Sequence, residues 1–162
     1  MKQIGTLYFF TGKMGAGKST KAKQYESNFN AVLLSEDEWL SKLYPNQINT
    51  FDDYLNYAQQ IKPLLKMHIQ RILTTNTNVV MDFPGNTKEQ RNWLLNIANE
   101  INADHQLIYL NISDEHCLQQ ISKRRLEFPE RATFDTPETF EYVSSFFEEP
   151  HVSEGLNILE IN

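Results

Sequence analysis

Gly12-Lys13-Met14-Gly15-Ala16-Gly17-Lys18-Ser19 is the stretch on which the reading of the fold turns. It satisfies the Walker A pattern G-x-x-x-x-G-K-[ST] at every defined position. It also lies between the strand-like Thr6-Leu7-Tyr8-Phe9-Phe10-Thr11 and a helical pattern that starts near Lys18 and continues through Lys21-Ala22-Lys23-Gln24-Tyr25. Glycines let backbone N–H groups approach phosphate oxygens in dihedrals that a Cβ obstructs. A helix N-terminus adds unpaired N–H donors and partial positive charge at the same point. The chain holds six glycines in 162 residues, and three of them fall within six consecutive positions here. That count is roughly half of average usage, so glycine is concentrated where backbone must meet phosphate. A chance glycine-rich turn would have to match four constrained positions, an accident on the order of one in a few hundred chains of this length.

Working outward, further short apolar runs occur at Ala31-Val32-Leu33-Leu34, Asn78-Val79-Val80-Met81-Asp82, Gln106-Leu107-Ile108-Tyr109-Leu110 and Leu156-Asn157-Ile158-Leu159-Glu160-Ile161. They are continuous rather than alternating, as expected of strands buried on both faces of a parallel sheet. Helical stripes fill the gaps. Phe51, Tyr54, Leu55, Ala58, Ile61, Leu65, Ile69 and Ile72 recur at helix spacing, and Pro63 is expected to kink or break that segment into two helices. Trp93, Leu94, Ile97, Ala98 and Ile101 form the next stripe. Phe140, Val143 and Phe146-Phe147 form another, opened by Thr136-Pro137-Glu138. Alternation of strand and helix along the whole chain predicts an α/β fold with right-handed crossovers, a central and mostly parallel five-stranded sheet, and one domain over residues 1–162.

Composition narrows the function. Fifteen Lys+Arg against 21 Asp+Glu give a net charge of −6, which repels a polyanion and argues against nucleic acid as a partner. No apolar run approaches the roughly 18–20 residues that span a bilayer, so no membrane partner and a cytoplasmic location are expected. The single cysteine, Cys117, has no internal disulfide partner, and the four His residues lack zinc-type spacing. Cys117 shares a helical apolar stripe with Leu118 and Ile121 and reads as a small core residue.

The phosphate loop assigns Gly12 through Thr20 to nucleotide binding, with Lys18 reaching the β/γ-phosphates and Ser19 ligating Mg²⁺. Residues Lys13, Met14, Gly15, Ala16, Gly17 and Thr20 belong to the same cofactor-binding set. After the second strand, Ser35-Glu36-Asp37-Glu38 puts a carboxylate just beyond the carboxyl edge of the sheet, where ligands of open α/β folds bind. Such a carboxylate can orient an accepting hydroxyl and take its proton, although Ser35-x-x-Glu38 is also a capping box and acids suit a first turn. Asp82, at the end of a hydrophobic strand, suits Mg²⁺ or a turn, since Asp82-Phe83-Pro84-Gly85 also has turn chemistry. Lys123, Arg124 and Arg125 end a helix begun near Ser113-Asp114, and Arg131 follows near Pro129. Cations there favour the helix dipole. Arginines on a flexible lid also match the equatorial oxygens of a transferring phosphoryl group. Arg91 reads as a residue that orients a helix or pairs with an acid.

The phosphate loop, the Ser-x-Asp-x segment at Ser35–Asp37, the Val79-Val80-Met81-Asp82 strand with Arg91 in its following helix, the Ile108-Tyr109-Leu110-Asn111-Ile112 strand and the basic Lys123-Arg124-Arg125 resemble small P-loop kinases of the AAA-domain ATP-binding group. That group is related to polynucleotide kinase, gluconate kinase, chloramphenicol phosphotransferase and zeta-type toxins. The resemblance implies a three-layer P-loop NTPase fold, ATP and Mg²⁺ as cofactors, and a phosphotransferase acting on a small-molecule or nucleotide hydroxyl. It makes Asp37 the candidate base and Arg124, Arg125 and Arg131 the candidate lid cations. Polynucleotide kinases carry an arginine where Leu40 stands, which counts against a nucleic-acid 5′ end as acceptor.

Three rivals arise from the same residues. A regulatory GTPase needs N-K-x-D, and Asn111-Ile112-Ser113-Asp114 has Ile in place of Lys. Lys13 matches the extra lysine of dimerising partition ATPases, which are considerably longer. An ATP-binding module that signals its occupancy to a partner needs only the loop, and the carboxylate at Asp37 is what separates it from a kinase.

Overall fold

The computed structural model of the chain describes residues 3–162. Five strands, β1 (Leu7–Thr11), β2 (Val32–Ser35), β3 (Val79–Asp82), β4 (His105–Leu110) and β5 (Ile158–Ile161), pair in the order β2-β3-β1-β4-β5. Every neighbouring pair is parallel, so the sheet expected to be mostly parallel is wholly so among the described residues. Among the described residues six helices connect and flank the strands: α1 (Lys18–Asn28), α2 (Glu36–Leu43), α3 (Phe51–Leu73), α4 (Lys88–Asn99), α5 (Asp114–Glu127) and α6 (Pro137–Ser144). Short 3₁₀ turns occupy Pro129–Arg131 and Val152–Glu154.

The continuous apolar strands are explained by burial from both sides. Leu7, Phe9, Val79, Met81 and Leu107 face Leu65, Ile69 and Leu73 of α3 and Leu94 and Ile97 of α4, all buried. Phe10, Val80, Ile108 and Leu110 face the other way, onto Ala22 of α1, with Tyr25 packed behind it. The result is three layers, helix on sheet on helix. A third, smaller cluster of Cys117, Ile121 and Phe140 joins α5 and α6, and Met14 and Ala16 of the phosphate loop rest on it. Cys117 is therefore a core residue.

The expected break at Pro63 does not occur. α3 runs unbroken from Phe51 to Leu73, started by a capping box in which Thr50 accepts from the Asp53 amide and Asp53 accepts from the Thr50 amide. Proline removes one N–H bond to the carbonyl four residues earlier. Here both Pro63 and Gln59 are exposed, so the freed Gln59 carbonyl lies on the solvent side of the helix. The buried stripe Ala58, Ile61, Leu65, Ile69 and Leu73 clamps the helix on both sides of the proline. Phe51 and Leu55, at the start of the helix, lie outside that stripe and are exposed. α6 ends at Ser144, so Phe146 and Phe147 lie beyond the helix that their spacing suggested.

Arg91 is the largest fully buried side chain. Its Nε and Nη2 donate to the two carboxylate oxygens of Glu154 at 2.9 and 3.1 Å, and its Nη1 donates to the Gly85 carbonyl at 3.1 Å. One guanidinium thereby ties α4 to the loop after β3 and to the segment that leads into β5. Arg91→Ala strands the Glu154 carboxylate and is expected to cost about 3–5 kcal/mol, or roughly 10 °C in Tm by calorimetric scan. Replacing Arg91 and Glu154 together by methionine should cost much less, because no unpaired charge is left behind.

Candidate functional site

β1 delivers the chain to Gly12 at the carboxyl edge of the sheet, and α1 begins at Lys18. Gly17 caps α1 in a left-handed conformation, φ 95°, and offers no side-chain acceptor to the first amides. Every other α-helix is capped by a hydroxyl, from Ser35, Thr50, Thr87, Ser113 and Thr136 respectively. Among the described α-helices α1 alone leaves its donors free of a side-chain cap, as an anion site requires. Gly15 also has positive φ, 82°, and a Cβ there would lie 2.6 Å from the Cys117 carbonyl oxygen. The loop therefore lies directly on α5, with no room for a side chain at this position. Thr20 is exposed in the first turn of α1.

The Lys18 ammonium donates to the Gly12 carbonyl at 2.8 Å and stands 3.5 Å from Asn86 Oδ1. Asn86 Oδ1 also accepts from the Gly12 amide at 3.0 Å and from the Thr11 hydroxyl at 3.1 Å. Its own amide is held by Gln90, and its carbonyl accepts from the Glu148 amide at 2.8 Å. Burial draws the Lys18 ammonium down from 10.5 to about 8, against the opposing pull of the Asp82, Cys117 and Asp37 sites.

The Ser19 hydroxyl donates to Asp82 Oδ2 at 2.8 Å. β2 and β3 pair so that Ser35 and Asp82 are level, which sets the start of α2 beside the phosphate loop. Two hard oxygen donors at a phosphate cradle suit Mg²⁺, which keeps several waters and takes one or two protein oxygens besides phosphate. Among the described residues no group of three or more His, Cys, Asp or Glu could hold a metal.

Ser35 caps α2, accepting from the Glu38 amide at 3.4 Å. Asp37 comes next in the first turn. It is exposed as a residue and lines a cavity with Leu40, Tyr44 and Tyr54. Desolvation of its carboxyl raises its pKa, the Asp82 carboxylate raises it further, and Arg131 and Lys18 oppose both. Asp37, Asp82, Lys18 and Arg131 therefore share one electrostatic site. Glu36, the residue before Asp37, is 2% exposed and accepts from the Tyr54 hydroxyl. Burial raises its pKa first, the Tyr54 hydrogen bond lowers it, and Asp37 raises it again.

The basic end of α5 divides in two. Arg124 grips Asp135 with Nε and Nη2 at 2.9 and 2.8 Å, and Arg131 donates from Nε to the same carboxylate at 2.9 Å. Asp135 is buried. Burial pushes its carboxyl up, but the two arginine hydrogen bonds prevail and hold it below the usual range. Arg125 is exposed and makes no ion pair among the described residues. Lys13 is committed within its own chain, 2.8 Å from Asp114 and 5.9 Å over the Phe147 ring.

The profile of the AAA domain matches residues 7–150. The chain belongs to the AAA domain family. Its fold is that of P-loop kinases. The APS kinase of Mycobacterium tuberculosis, solved with AMPPNP and APS, superposes with a TM-score of 0.67 at 18% identity, covering 98% of this chain and 89% of that one. Kti12 of Chaetomium thermophilum, solved with ADP-AlF3, gives 0.64 at 18% identity over 95% and 88%. A sugar kinase from Janibacter gives 0.61 at 13% identity over 98% and 84%. No curated protein matches the sequence. Among the described residues of this AAA domain, no helix is long and apolar enough to cross a membrane.

Within the AAA domain three residues have no signal in the motifs: Asn86, Glu36 and Asp135. Asn86 sits in a stretch whose turn chemistry is legible without its contacts, and the local pattern there marks only the Thr87-x-x-Gln90 capping box that starts α4. The lowered Lys18 pKa has a stability consequence. Between pH 8 and 10.5 the unfolded chain still holds a proton that the folded chain releases, so this group makes stability rise with pH across that window. Denaturant titrations at pH 8 and pH 10 should show the rise in the wild type and its absence from Lys18→Met.

Proposed function

We propose that this AAA domain is a kinase that transfers the γ-phosphoryl group of Mg·ATP to a hydroxyl of a small-molecule acceptor. The reading is supported by Lys18 and the Ser19–Asp82 pair at the carboxyl edge of the parallel sheet, with Asp37 in the first turn of the helix that follows the neighbouring strand, beside a helix whose first amides lack a side-chain acceptor. The loop amides of Gly12–Gly17 cradle the phosphates. Lys18 leaves the Gly12 carbonyl for the β/γ oxygens, and its pKa rises again once anionic oxygen replaces a neutral carbonyl. Ser19 and Asp82 would hold the Mg²⁺, which would supply charge neutralisation to the phosphates.

Asp37 accepts the proton of the acceptor hydroxyl as its oxygen bonds phosphorus and the bond to ADP breaks. Its raised pKa keeps it nearer to a useful base strength than an ordinary aspartate. Arg131, with Arg124 on the same Asp135, spreads positive charge toward the equatorial oxygens. Arg125 is the third lid candidate and, having no ion pair among the described residues, is the one that needs no partner broken to move. A second reading, a nucleotide-dependent regulatory module, is favoured by one observation: both Arg124 and Arg131 are held by Asp135 rather than aimed freely into the cleft.

Lys18→Ala is expected to lose about two orders of magnitude or more in ATP affinity by calorimetry, since a charged contact in a desolvated site goes with it. Asp37→Asn should lower acceptor-dependent ADP release by about 10²–10⁴-fold while leaving ATP affinity nearly unchanged. Equal turnover in Asp37→Asn and wild type would move the assignment to the regulatory reading.

A further inference from the structure

Lys18 lies among carboxylates and rests on none of them. Asp82 and Asp37 are near enough to act on its ammonium, yet among the described residues it forms no ion pair. It donates to the Gly12 carbonyl at 2.8 Å and stands 3.5 Å from Asn86 Oδ1. Both oxygens are uncharged. A carboxylate at the same distance would add a Coulomb attraction that phosphate must then overcome. Neutral oxygens keep the ammonium in place and leave that attraction to an incoming anion.

The Asn86 side chain has one orientation that fits its partners. A backbone amide can only donate, so the carboxamide oxygen, not its nitrogen, faces Gly12 and accepts at 3.0 Å. The hydroxyl of Thr11, a fully buried residue, donates to the same oxygen at 3.1 Å. Gly12 is thereby held twice, its N–H by Asn86 and its carbonyl by Lys18. Asn86 is itself fixed from behind. Gly85 packs so closely on the end of β1 that a Cβ would lie 2.2 Å from the Phe10 carbonyl oxygen, and Arg91 holds the Gly85 carbonyl. The Asn86 amide donates to Gln90, and its carbonyl accepts from the Glu148 amide. With backbone restrained on both sides, the position of Oδ1 is set by the fold rather than by a ligand.

We propose that Asn86 is a positioning residue for Lys18: its uncharged oxygen fixes Gly12, whose carbonyl holds the ammonium beside the loop, and gives the ammonium up when anionic phosphate oxygen arrives. This inference rests on the kinase reading, in which Lys18 binds the β/γ oxygens. Asn86 acts through Lys18 and the Gly12 peptide, not on the reacting atoms. An aspartate here would accept from the same two protein donors but keep the lysine as an ion pair, so the site calls for an amide rather than an acid. An alanine would leave the Gly12 amide and the buried Thr11 hydroxyl without their acceptor.

The test is a double-mutant cycle on Mg·ATP affinity, measured by calorimetry on the purified full-length protein up to millimolar nucleotide, together with the thermal midpoint of each variant without nucleotide. Asn86→Ala should lower the midpoint by about 4 °C and weaken Mg·ATP binding. Asn86→Asp, which restores the acceptor oxygen, should recover the wild-type midpoint yet bind Mg·ATP about tenfold more weakly than wild type. That second loss should vanish when Lys18 is already replaced, in Lys18→Met against Lys18→Met with Asn86→Asp. Recovery of Mg·ATP affinity along with the midpoint in Asn86→Asp would make Asn86 a structural residue only and overturns the proposal. A loss that persists undiminished in the Lys18→Met background comes from direct repulsion of phosphate and overturns it as well. So does a midpoint that falls as far in Asn86→Asp as in Asn86→Ala, because the oxygen is then not the group that matters. Absence of Mg·ATP binding by the wild type overturns the kinase reading instead.

Discussion

The first amides of α1 have no side-chain acceptor, and the rest of the site is organised around that deficit. Five other helices in this chain end their N-terminal turn on a serine or threonine hydroxyl. α1 ends its turn on Gly17, whose left-handed backbone turns the amides outward without filling the space in front of them. The adjoining loop cannot collapse into that space. Gly15 is pressed on the Cys117 carbonyl from one side, and Asn86 takes the Gly12 amide and the Thr11 hydroxyl on the other. The loop is thus pinned by neighbours in α5 and after β3, so that ordering entropy is largely spent before any ligand arrives.

Charge is partitioned around the same cradle. The phosphate loop and the end of α5 with the following 3₁₀ turn carry the cations, and α2 and the end of β3 carry the carboxylates. Lys18 lies between them and is desolvated enough for its pKa to fall to about 8. The raised pKa of Asp37 and the lowered pKa of Lys18 have burial as a common first cause, and each partly offsets the other. Asp135 repeats the device after α5, where one buried carboxylate orders two guanidinium groups that would otherwise repel. Arg91 does the same below the site, where its pairing with Glu154 and Gly85 holds the loop from which Asp82 and Asn86 project.

The strand runs, their parallel pairing, the phosphate loop, the helix-capping Ser and Thr residues and the core role of Cys117 are all legible in local pattern. Burial on both faces leaves a continuous apolar signature, and caps are contacts over three residues. Pro63 misleads for the complementary reason: its local effect is real, but a buried stripe on both sides and a solvent-facing outer side outweigh it. The sheet order β2-β3-β1-β4-β5 has no local signature at all, since it depends on which long crossovers pack on which face.

By itself, then, the sequence determined where phosphate is met, because that chemistry is carried by eight consecutive residues and a backbone conformation that glycine permits. The tertiary structure decided what surrounds it. Asn86 reaches Gly12 across 74 positions, Asp82 reaches Ser19 across 63, and Arg91 reaches Glu154 across 63. Glu36 faces Tyr54 only because α3 packs back over α2. A helix start such as Ser35-Glu36-Asp37 looks the same in sequence whichever carboxylate turns inward. The rotation of α2 on the sheet, set by Leu40 in the core, buries Glu36 and leaves Asp37 at the cleft.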